Sequence, residues 1–425
     1  MSRTQPQLGL LGGLVLLATS LLGSSVFVVP ALGAQIAGQG SLYSWLGLIA
    51  FMLPMAMVFG QLGRAYPHAG GVSHWSSKAM GPRVEWITAI MLISVIPVGL
   101  PAALLLTMIF LERIIPLSAP FDLIAQLLVL LAAYLLNRAG LRASALIQTL
   151  IILGTLLFIA ALVFSTPVTL AGLTPQAQLS QWPTIASAAG LMLWCFLGLE
   201  IMANLAEEFK NPQRDIPWVV VGGVVLAGLV YYLCAAVVLS APLAQINESS
   251  LLQVAESTLG PVGVTLLSIF GFLACFASLN TYLNGFSRGL WSLADEGKLP
   301  ARWALRSHRQ VPLPALNLIA LVCLSATLIF YLDWLDLAQL ITLANAHFIL
   351  VYLAAMVSAT VLLTGLQRWV GVAGTLACLV GFASLGWAAL YGLTLLAVLW
   401  VLAPKPASQA QSGSQGVQGK PQATD

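Results

Sequence analysis

The chain has 425 residues, of which 59% are hydrophobic and only 7% are charged. Because a soluble domain carries about 25% charged residues, this composition excludes a soluble protein and predicts one that crosses a membrane many times. The formal net charge of +3 is small, so we expect a lipid bilayer rather than nucleic acid around the protein.

Composition also argues against disulfides and metal ligands. The five cysteines lie inside apolar runs with no CxxC pair and no Cys/His spacing, so they are predicted to be small core residues. They are Cys195, Cys234, Cys275, Cys323 and Cys378. No cofactor and no metal are expected.

A transmembrane helix needs about 17 to 25 mostly apolar residues. Runs of this kind predict twelve spans, near 8–35, 41–63, 84–110, 121–137, 143–166, 184–206, 216–240, 261–291, 313–332, 336–364, 369–383 and 386–403. The first run is too long for a signal peptide and is therefore counted as a span. The last two are short and would be joined by a tight turn at 384–386, which leaves eleven spans as an alternative.

The distribution of lysine and arginine tests this count, since these residues concentrate in cytoplasmic loops. With twelve spans and both termini cytoplasmic, only Arg113 of the 17 Lys and Arg residues lies outside. An eleven-span chain moves just Lys405 and Lys420 outside, so the rule determines the first ten spans better than the last two. Residues 404–425, rich in Gln, Ser, Gly and Pro, are predicted to form a disordered cytoplasmic tail.

Two spans are interrupted near their midpoints. Span 1 contains the sequence TSLLGSSVF at 19–27, and span 6 contains LWCFLGLE at 193–200. The two lie five spans apart, which gives them opposite orientations in the bilayer. Paired interruptions at corresponding positions of two halves predict an inverted repeat and the substrate site of a transporter.

The physical chemistry of such a break predicts its ligand. Where a helix unwinds, the second half starts with free N–H groups and the positive end of its dipole, which attract an anion. The carbonyl groups left near Leu21 and Leu22, and from Cys195 to Leu197, have lost their donors and can accept from an ammonium group. A zwitterion such as an α-amino acid satisfies both sets. The alternative is that Gly23 and Gly198 only let helices pack closely.

Two ionisable residues lie at membrane depth. Inserting a carboxyl group such as Glu200 costs about 2.5 to 3.5 kcal/mol, so it marks a functional site by default. Glu200 either binds and releases a coupling proton or holds the broken segment by hydrogen bonds. His347 is interpreted as a neutral histidine bonded between helices, with a proton relay as the alternative.

Four motifs in order resemble the amino acid–polyamine–organocation (APC) superfamily of transporters, over essentially all of spans 1 to 10. They are LGSSVF at 22–27, YPHAGG at 66–71, FLGLE at 196–200 and EFKNPQRDIP at 208–217. Within that superfamily, SVIPVGLPAAL at 94–104 and ACFASLN at 274–280 are similar to bacterial exporters of L-methionine and branched-chain amino acids.

The resemblance implies an all-α polytopic fold of twelve transmembrane helices with a 5+5 inverted repeat and broken helices 1 and 6. The transport core would comprise 1–364, with repeat halves at about 8–166 and 184–364. Two peripheral helices would follow at 365–403. It also implies a short interfacial helix at 71–80 on the inner side.

The resemblance further implies the roles of the residues at the two breaks. The substrate carboxylate would meet N–H groups of Gly23, Ser24 and Ser25, and its amine would meet carbonyl groups of Leu22, Phe196 and Leu197. Phe196 would also act as a gate. Many family members carry a second glycine where this chain has Ser25. The predicted substrate site comprises Leu22, Gly23, Ser24, Ser25, Val26, Cys195, Phe196, Leu197 and Gly198, with Glu200 as the proton-coupling residue.

A weaker set of residues is predicted to shape the pocket. Pro97 and Pro101 flank Gly99 in span 3 and should kink that helix, either to form the pocket or only for packing. Ser278 and Asn280 in span 8 either line the cavity or bond across helices.

These observations predict a secondary transporter that exports methionine, leucine, isoleucine and valine across the bacterial inner membrane. Apart from Glu200 no charge lies near the breaks, which favours a neutral substrate. Export follows from the resemblance alone, and driving by a proton gradient follows from Glu200. An uptake permease or antiporter of the same superfamily is the alternative. A channel lacks its repeated filter sequence, and a membrane-embedded enzyme lacks converging catalytic groups.

Overall fold

The computed structural model describes residues 9–23, 25–68, 70–116, 118–140, 145–168, 170–199, 209–332 and 335–404, and the regular structure in these ranges is helical. The α-helices of this part of the chain are α1 (Leu10–Leu22), α2 (Val29–Ala37), α3 (Ser41–Ala65), α4 (Gly71–Met80), α5 (Pro82–Ile93), α6 (Ile96–Ile114), α7 (Ala119–Arg138), α8 (Ala145–Ser165), α9 (Leu170–Leu173), α10 (Trp182–Met192), α11 (Pro212–Ser240), α12 (Ser250–Asp295), α13 (Leu313–Phe330), α14 (Leu337–Leu362), α15 (Gly365–Ser384) and α16 (Trp387–Leu402).

Among the described residues, eight helical segments are long and apolar enough to cross a membrane. They are Val29–Ala65, Pro82–Ile114, Phe121–Arg138, Pro212–Ser240, Ser250–Asp295, Leu313–Phe330, Leu337–Leu362 and Gly365–Ser384, and shorter apolar helices are Leu10–Leu22, Thr149–Ser165, Trp182–Phe196 and Trp387–Leu402. Each of the twelve predicted spans overlaps one of these helices.

The third predicted span, 84–110, lies within the apolar helical segment Pro82–Ile114, which is interrupted once. It is divided into α5 and α6 by a turn at Ser94 and Val95. The cause is Pro97, whose ring has no N–H to donate to the carbonyl group of Ile93 and collides with it in a regular helix. The predicted kink in this span is therefore present, one turn ahead of the proline.

The start of the eighth predicted span, 261, coincides with a sharp bend. Helix α12 carries a non-helical residue at Gly260, with φ +66° and ψ −162°. The preceding helical turns from Ser250 were missed, because the polar sequence at 247–258 gives no transmembrane signal.

The last apolar stretch forms two helices, α15 and α16. Gly386 separates them with φ +59°, at the turn predicted for 384–386. The short helix predicted at 71–80 is confirmed as α4. The tail at 405–425 lies outside the described residues.

Helices α3, α6, α11 and α14 form the interior of the bundle. Helix α3 packs along α11, α6 packs against α12, and α14 packs against α4 and α15. In the apolar 18-residue stretch of α14, 78% of the residues are buried, whereas in that of α15 only 22% are buried. This packing encloses the two segments that were predicted to be interrupted.

Candidate functional site

The first break lies between α1 and α2. Helix α1 ends at Leu22 and α2 begins at Val29, with turns at Gly23 and at 25–28. The carbonyl oxygen of Ser25 accepts from the N–H groups of Val28, at 3.1 Å, and Val29, at 2.9 Å, so the ladder starts again here. The break predicted in span 1 is confirmed, and residues 25–28 are buried.

The second break follows α10. The chain passes into a 3₁₀ turn at Leu193–Phe196, and Leu197 is extended, with φ −71° and ψ 137°. Gly198 has φ +122°, a conformation that favours glycine. A Cβ atom at Gly198 would also collide with the Ser20 hydroxyl of α1, so the second break lies against α1, three residues before Gly23. The predicted interruption of span 6 is confirmed.

Tyr231 of α11 joins both sides of the first break. Its hydroxyl lies 2.5 Å from the carbonyl oxygen of Leu21 and 2.6 Å from the Ser25 hydroxyl. Since a carbonyl group can only accept, Tyr231 donates to Leu21 and accepts from Ser25. The tyrosine thus supplies a donor to a carbonyl group that lost its helical partner.

Aromatic packing holds the Tyr231 ring in place. It stacks on Trp45 of α3 with 4.9 Å between centroids and 1° between planes. Phe196, at the second break, lies 6.2 Å from Tyr231 and 6.4 Å from Trp45. All three side chains are fully buried, so this cluster connects the two breaks without access to solvent.

Helix α14 likewise supplies hydrogen-bond donors to carbonyl groups at the second break. The hydroxyl of Tyr352 donates to the carbonyl oxygen of Phe196 over 3.4 Å. The amide of Asn345 donates to Gly190 at 2.7 Å and to Leu191 at 3.0 Å, at the end of α10. Donors from α11 and α14 therefore lie at carbonyl groups where an ammonium ion was predicted to bind.

Sequence analysis missed Tyr231, Tyr352 and Trp45. Their sequence signal is only a polar-tipped aromatic ring in the middle of an apolar span. The hydroxyls of the two tyrosines find hydrogen-bond partners, as buried polar tips usually do, whereas the Nε1 atom of Trp45 has none among the described residues. Which partner a tyrosine finds is decided by the packing of distant helices. Two predicted site residues, Ser24 and Glu200, lie outside the described residues.

The residues predicted to shape the pocket are dispersed. Pro97 is exposed, whereas Gly99 and Pro101 are buried, and a Cβ atom at Gly99 would lie 3.9 Å from that of Ala344 in α14. The Oδ1 atom of Asn280 accepts from Asn137 of α7 at 2.7 Å.

Ser278, on the same helix as Asn280, is half-buried. The pairing with Asn137 favours an interhelical role for Asn280, one of the two alternatives raised by the sequence.

His347 lies between helices in a defined tautomer. Its Nδ1 atom is 3.0 Å from the carbonyl oxygen of Leu343 and its Nε2 atom is 3.3 Å from the hydroxyl of Tyr391 in α16. Because the carbonyl group accepts only, Nδ1 carries the hydrogen and Nε2 accepts from Tyr391 in the neutral ring. These contacts favour the interhelical interpretation.

Comparison with known proteins places this chain in a family. A family model described as "Amino acid permease" matches residues 8–412. The L-methionine/branched-chain amino acid exporter YjeH of Escherichia coli (strain K12) is 40% identical over 410 residues, covering 95% of this chain and 98% of the relative.

More distant relatives bear related names. The uncharacterized amino acid permease YecA of Bacillus subtilis (strain 168) is 27% identical over 91% of this chain and 92% of its own length. The branched-chain amino acid permease BcaP of Lactococcus lactis subsp. cremoris (strain MG1363) is 24% identical over 76% of this chain and 75% of its own length. The chain is therefore a multi-pass membrane protein that belongs to the amino acid permease family of the APC superfamily.

Proposed function

We propose that this protein is a secondary active transporter that exports neutral, apolar L-amino acids, namely methionine, leucine, isoleucine and valine, across the bacterial inner membrane. The observation that carries the proposal is the contact of the second helix break, at Gly198, with Ser20 of α1, three residues before the first break, inside a chain that is 40% identical to a protein named as such an exporter. The protein moves its ligand and does not transform it.

The proposed architecture is twelve transmembrane helices with a 5+5 inverted repeat, its halves at about 8–166 and 184–364. Residues 365–403 would form two peripheral helices, and 404–425 a cytoplasmic tail, with both termini cytoplasmic. The two interruptions, five spans apart, support the repeat. The low burial of α15 compared with α14 supports the peripheral position of the last two helices.

The breaks supply complementary groups for a zwitterion. The N–H groups of Gly23, Ser24 and Ser25, at the positive end of α2, would bind the carboxylate. Carbonyl groups of Leu21, Leu22, Phe196 and Leu197 would accept from the ammonium group, with Val26, Cys195 and Gly198 completing the site.

A substrate-free site needs other donors for these carbonyl groups, because a buried carbonyl group without a partner is destabilising. Tyr231 and Tyr352 are such donors at Leu21 and Phe196. An arriving ammonium group would displace the hydroxyls, so that binding and local repacking are linked.

The neutral surroundings support an apolar side chain. Neither 17–32 nor 188–199 contains a charged residue, and the described parts of these stretches are largely buried. A cationic or anionic side chain would need a partner of opposite charge at membrane depth. Glu200 directly follows the second stretch, and we assign it to proton coupling rather than to the substrate.

Transport of radiolabelled amino acids into everted vesicles tests the function, because export then appears as accumulation. We expect saturable accumulation of methionine, leucine, isoleucine and valine when the vesicle interior is acidic. Accumulation of acidic or dibasic amino acids instead would overturn the substrate class. Accumulation only in right-side-out vesicles would indicate an uptake permease.

The same assay tests the coupling residue. We expect Glu200→Gln to abolish accumulation driven by the pH gradient while counterflow, which needs no net proton movement, persists. If the variant accumulated substrate against its gradient as well as the wild type, the coupling role of Glu200 would be lost.

A further inference from the structure

Two histidine rings stack on each other at the start of α4. His68 lies in the loop that enters the helix and His74 in its first turns, with 3.9 Å between ring centroids and 11° between planes. His68 is exposed and His74 is half-buried. The Nδ1 atom of His68 accepts from the backbone N–H of Gly70 at 2.9 Å, so this nitrogen carries no hydrogen in the stacked arrangement.

Positive charge on the two rings disfavours this arrangement. A proton on Nδ1 of His68 would face the Gly70 N–H, and two positive rings at 3.9 Å would repel each other. His74 also lies near the positive end of the α4 dipole, which disfavours a further cation. Burial, followed by the neighbouring His68 and Lys78, lowers the pKa of His74 below its ordinary value.

The charged groups around the stack come from several elements. Besides His68, the groups that act on His74 are Lys78 of α4, Glu85 of α5 and Lys298, which follows α12. His68 in turn acts electrostatically on Glu296. The inner end of α3 contributes Arg64, which is exposed, and 352–362 of α14 contains no charged residue.

Lys298 connects these elements. Its Nζ atom lies 2.7 Å from Glu85 and 2.6 Å from Glu296. Burial alone would raise the pKa of Glu296, but the hydrogen bond and charge of Lys298 hold it below its ordinary value. This carboxylate therefore stays charged above its ordinary pKa and loses its charge only as the pH falls well into the acid range. The charges of the ion pair between Lys298 and Glu296 therefore do not change over the pH range in which histidines titrate.

Helix α4 is linked to the second break by aromatic contacts. Trp75 of α4 donates to the carbonyl oxygen of Tyr66 at 3.1 Å and meets Phe59 of α3 edge-on at 5.5 Å. Phe59 meets Tyr352 at 5.3 Å, and Tyr352 donates to the carbonyl oxygen of Phe196. Helix α4, which carries His74, is thus connected through Phe59 and Tyr352 to Phe196 at the second break.

We propose that the stack of His74 on His68 is a pH switch that keeps the entry loop closed over the start of α4 while His74 is neutral and releases it when His74 takes up a proton. The cytoplasmic location of the switch rests on the topology given under the proposed function. Since a group whose pKa is lowered in the closed state favours that state only when neutral, the closed state is fully stable above pH 6.5, the ordinary value for histidine, and weakens as the pH falls below it.

Amide hydrogen exchange of the purified full-length protein in nanodiscs, without substrate, tests the switch directly. After correction for the intrinsic exchange rate, we expect protection of the 71–80 amides to fall by about fivefold or more between pH 7.5 and 5.5, the lower end of typical couplings between sites. Amides of α13, on the other side of the bundle, serve as the internal reference.

The decisive variant is the double substitution His68→Asn and His74→Phe. Asparagine keeps an acceptor for the Gly70 N–H and phenylalanine keeps the ring, so the loop remains closed without a titrating group. We expect its protection to be independent of pH, whereas the matched variant His308→Asn, at an exposed histidine elsewhere, should behave like the wild type. Constant protection in the wild type, or an unchanged fall in the double variant, overturns the proposal. Neither result depends on the transported substrate.

Discussion

One side chain, Tyr231, connects the two sides of the first helix break by hydrogen bonds. Its hydroxyl is a donor to Leu21 and an acceptor for Ser25, and its ring is held by the stack on Trp45. A buried carbonyl group that loses its only donor costs about 1–3 kcal/mol. The hydroxyl therefore stabilises the substrate-free site at the position where an ammonium group is proposed to bind.

We expect Tyr231→Phe to lower the unfolding free energy of the substrate-free protein by about 1–3 kcal/mol, because Leu21 loses its donor while the ring still packs. Saturating methionine should restore part of this loss. The thermal shift caused by methionine should thus be larger in the variant than in the wild type, as measured by thermal unfolding in detergent.

The adjacent tyrosine offers a matched control. Tyr232 donates to the carbonyl oxygen of Leu173 at 2.5 Å, away from the breaks. Tyr232→Phe should leave the methionine-induced shift at the wild-type value. Equal shifts in the two variants would contradict a competition between the Tyr231 hydroxyl and the substrate amine.

At the scale of elements, the contact between α3 and α11 positions Trp45 and Tyr231 for their stack. The helices approach closely where Gly60 meets Pro217, and a Cβ atom at Gly60 would lie 3.3 Å from the Cα atom of Pro217. Backbone cannot move aside as a flexible side chain can. The absence of a side chain at Gly60 therefore sets the distance between these two helices.

We expect Gly60→Val to destabilise the protein by about 1–3 kcal/mol, the usual cost of forcing extra methyl groups into a packed interface. Transport should fall as well, because α11 carries Tyr231. Gly47→Val on the same helix is the control, since a Cβ atom at Gly47 meets nothing within 4 Å. Similar destabilisation by both variants would show that the effect is one of β-branching in a helix rather than of packing.

At the scale of the whole molecule, the number of times the last apolar stretch crosses the membrane determines on which side the C-terminus lies. Helices α15 and α16 are separate and joined at Gly386, as a hairpin across the membrane requires. In the proposed twelve-span topology this hairpin returns the C-terminus to the side of the N-terminus.

Reporter fusions test this topology. A fluorescent protein fused after residue 404 should fluoresce, because it folds in the cytoplasm, and alkaline phosphatase fused within the turn at 385–386 should be active. Phosphatase activity at 404 with fluorescence at the turn would mean that the hairpin does not cross as proposed, and the inner position of the tail would be wrong.

The sequence alone determined the membrane class, the approximate position of the apolar helices in the described part of the chain and both helix breaks. These follow from local properties, namely apolar run length and the placement of Gly and Pro, which act within one or two helical turns. Even so, local reasoning missed the first turns of α12, where a polar helix gives no apolar signal.

Only the tertiary structure decided which groups satisfy the broken helices. The partners of Tyr231 lie 206 and 210 residues away along the chain, and those of Tyr352 and Asn345 lie 156 and 155 residues away. A hydrogen bond forms only within about 3.5 Å, so such pairs are determined by how distant helices pack and not by any pattern in the neighbouring residues. The same is true of the Lys298 ion pair with Glu85.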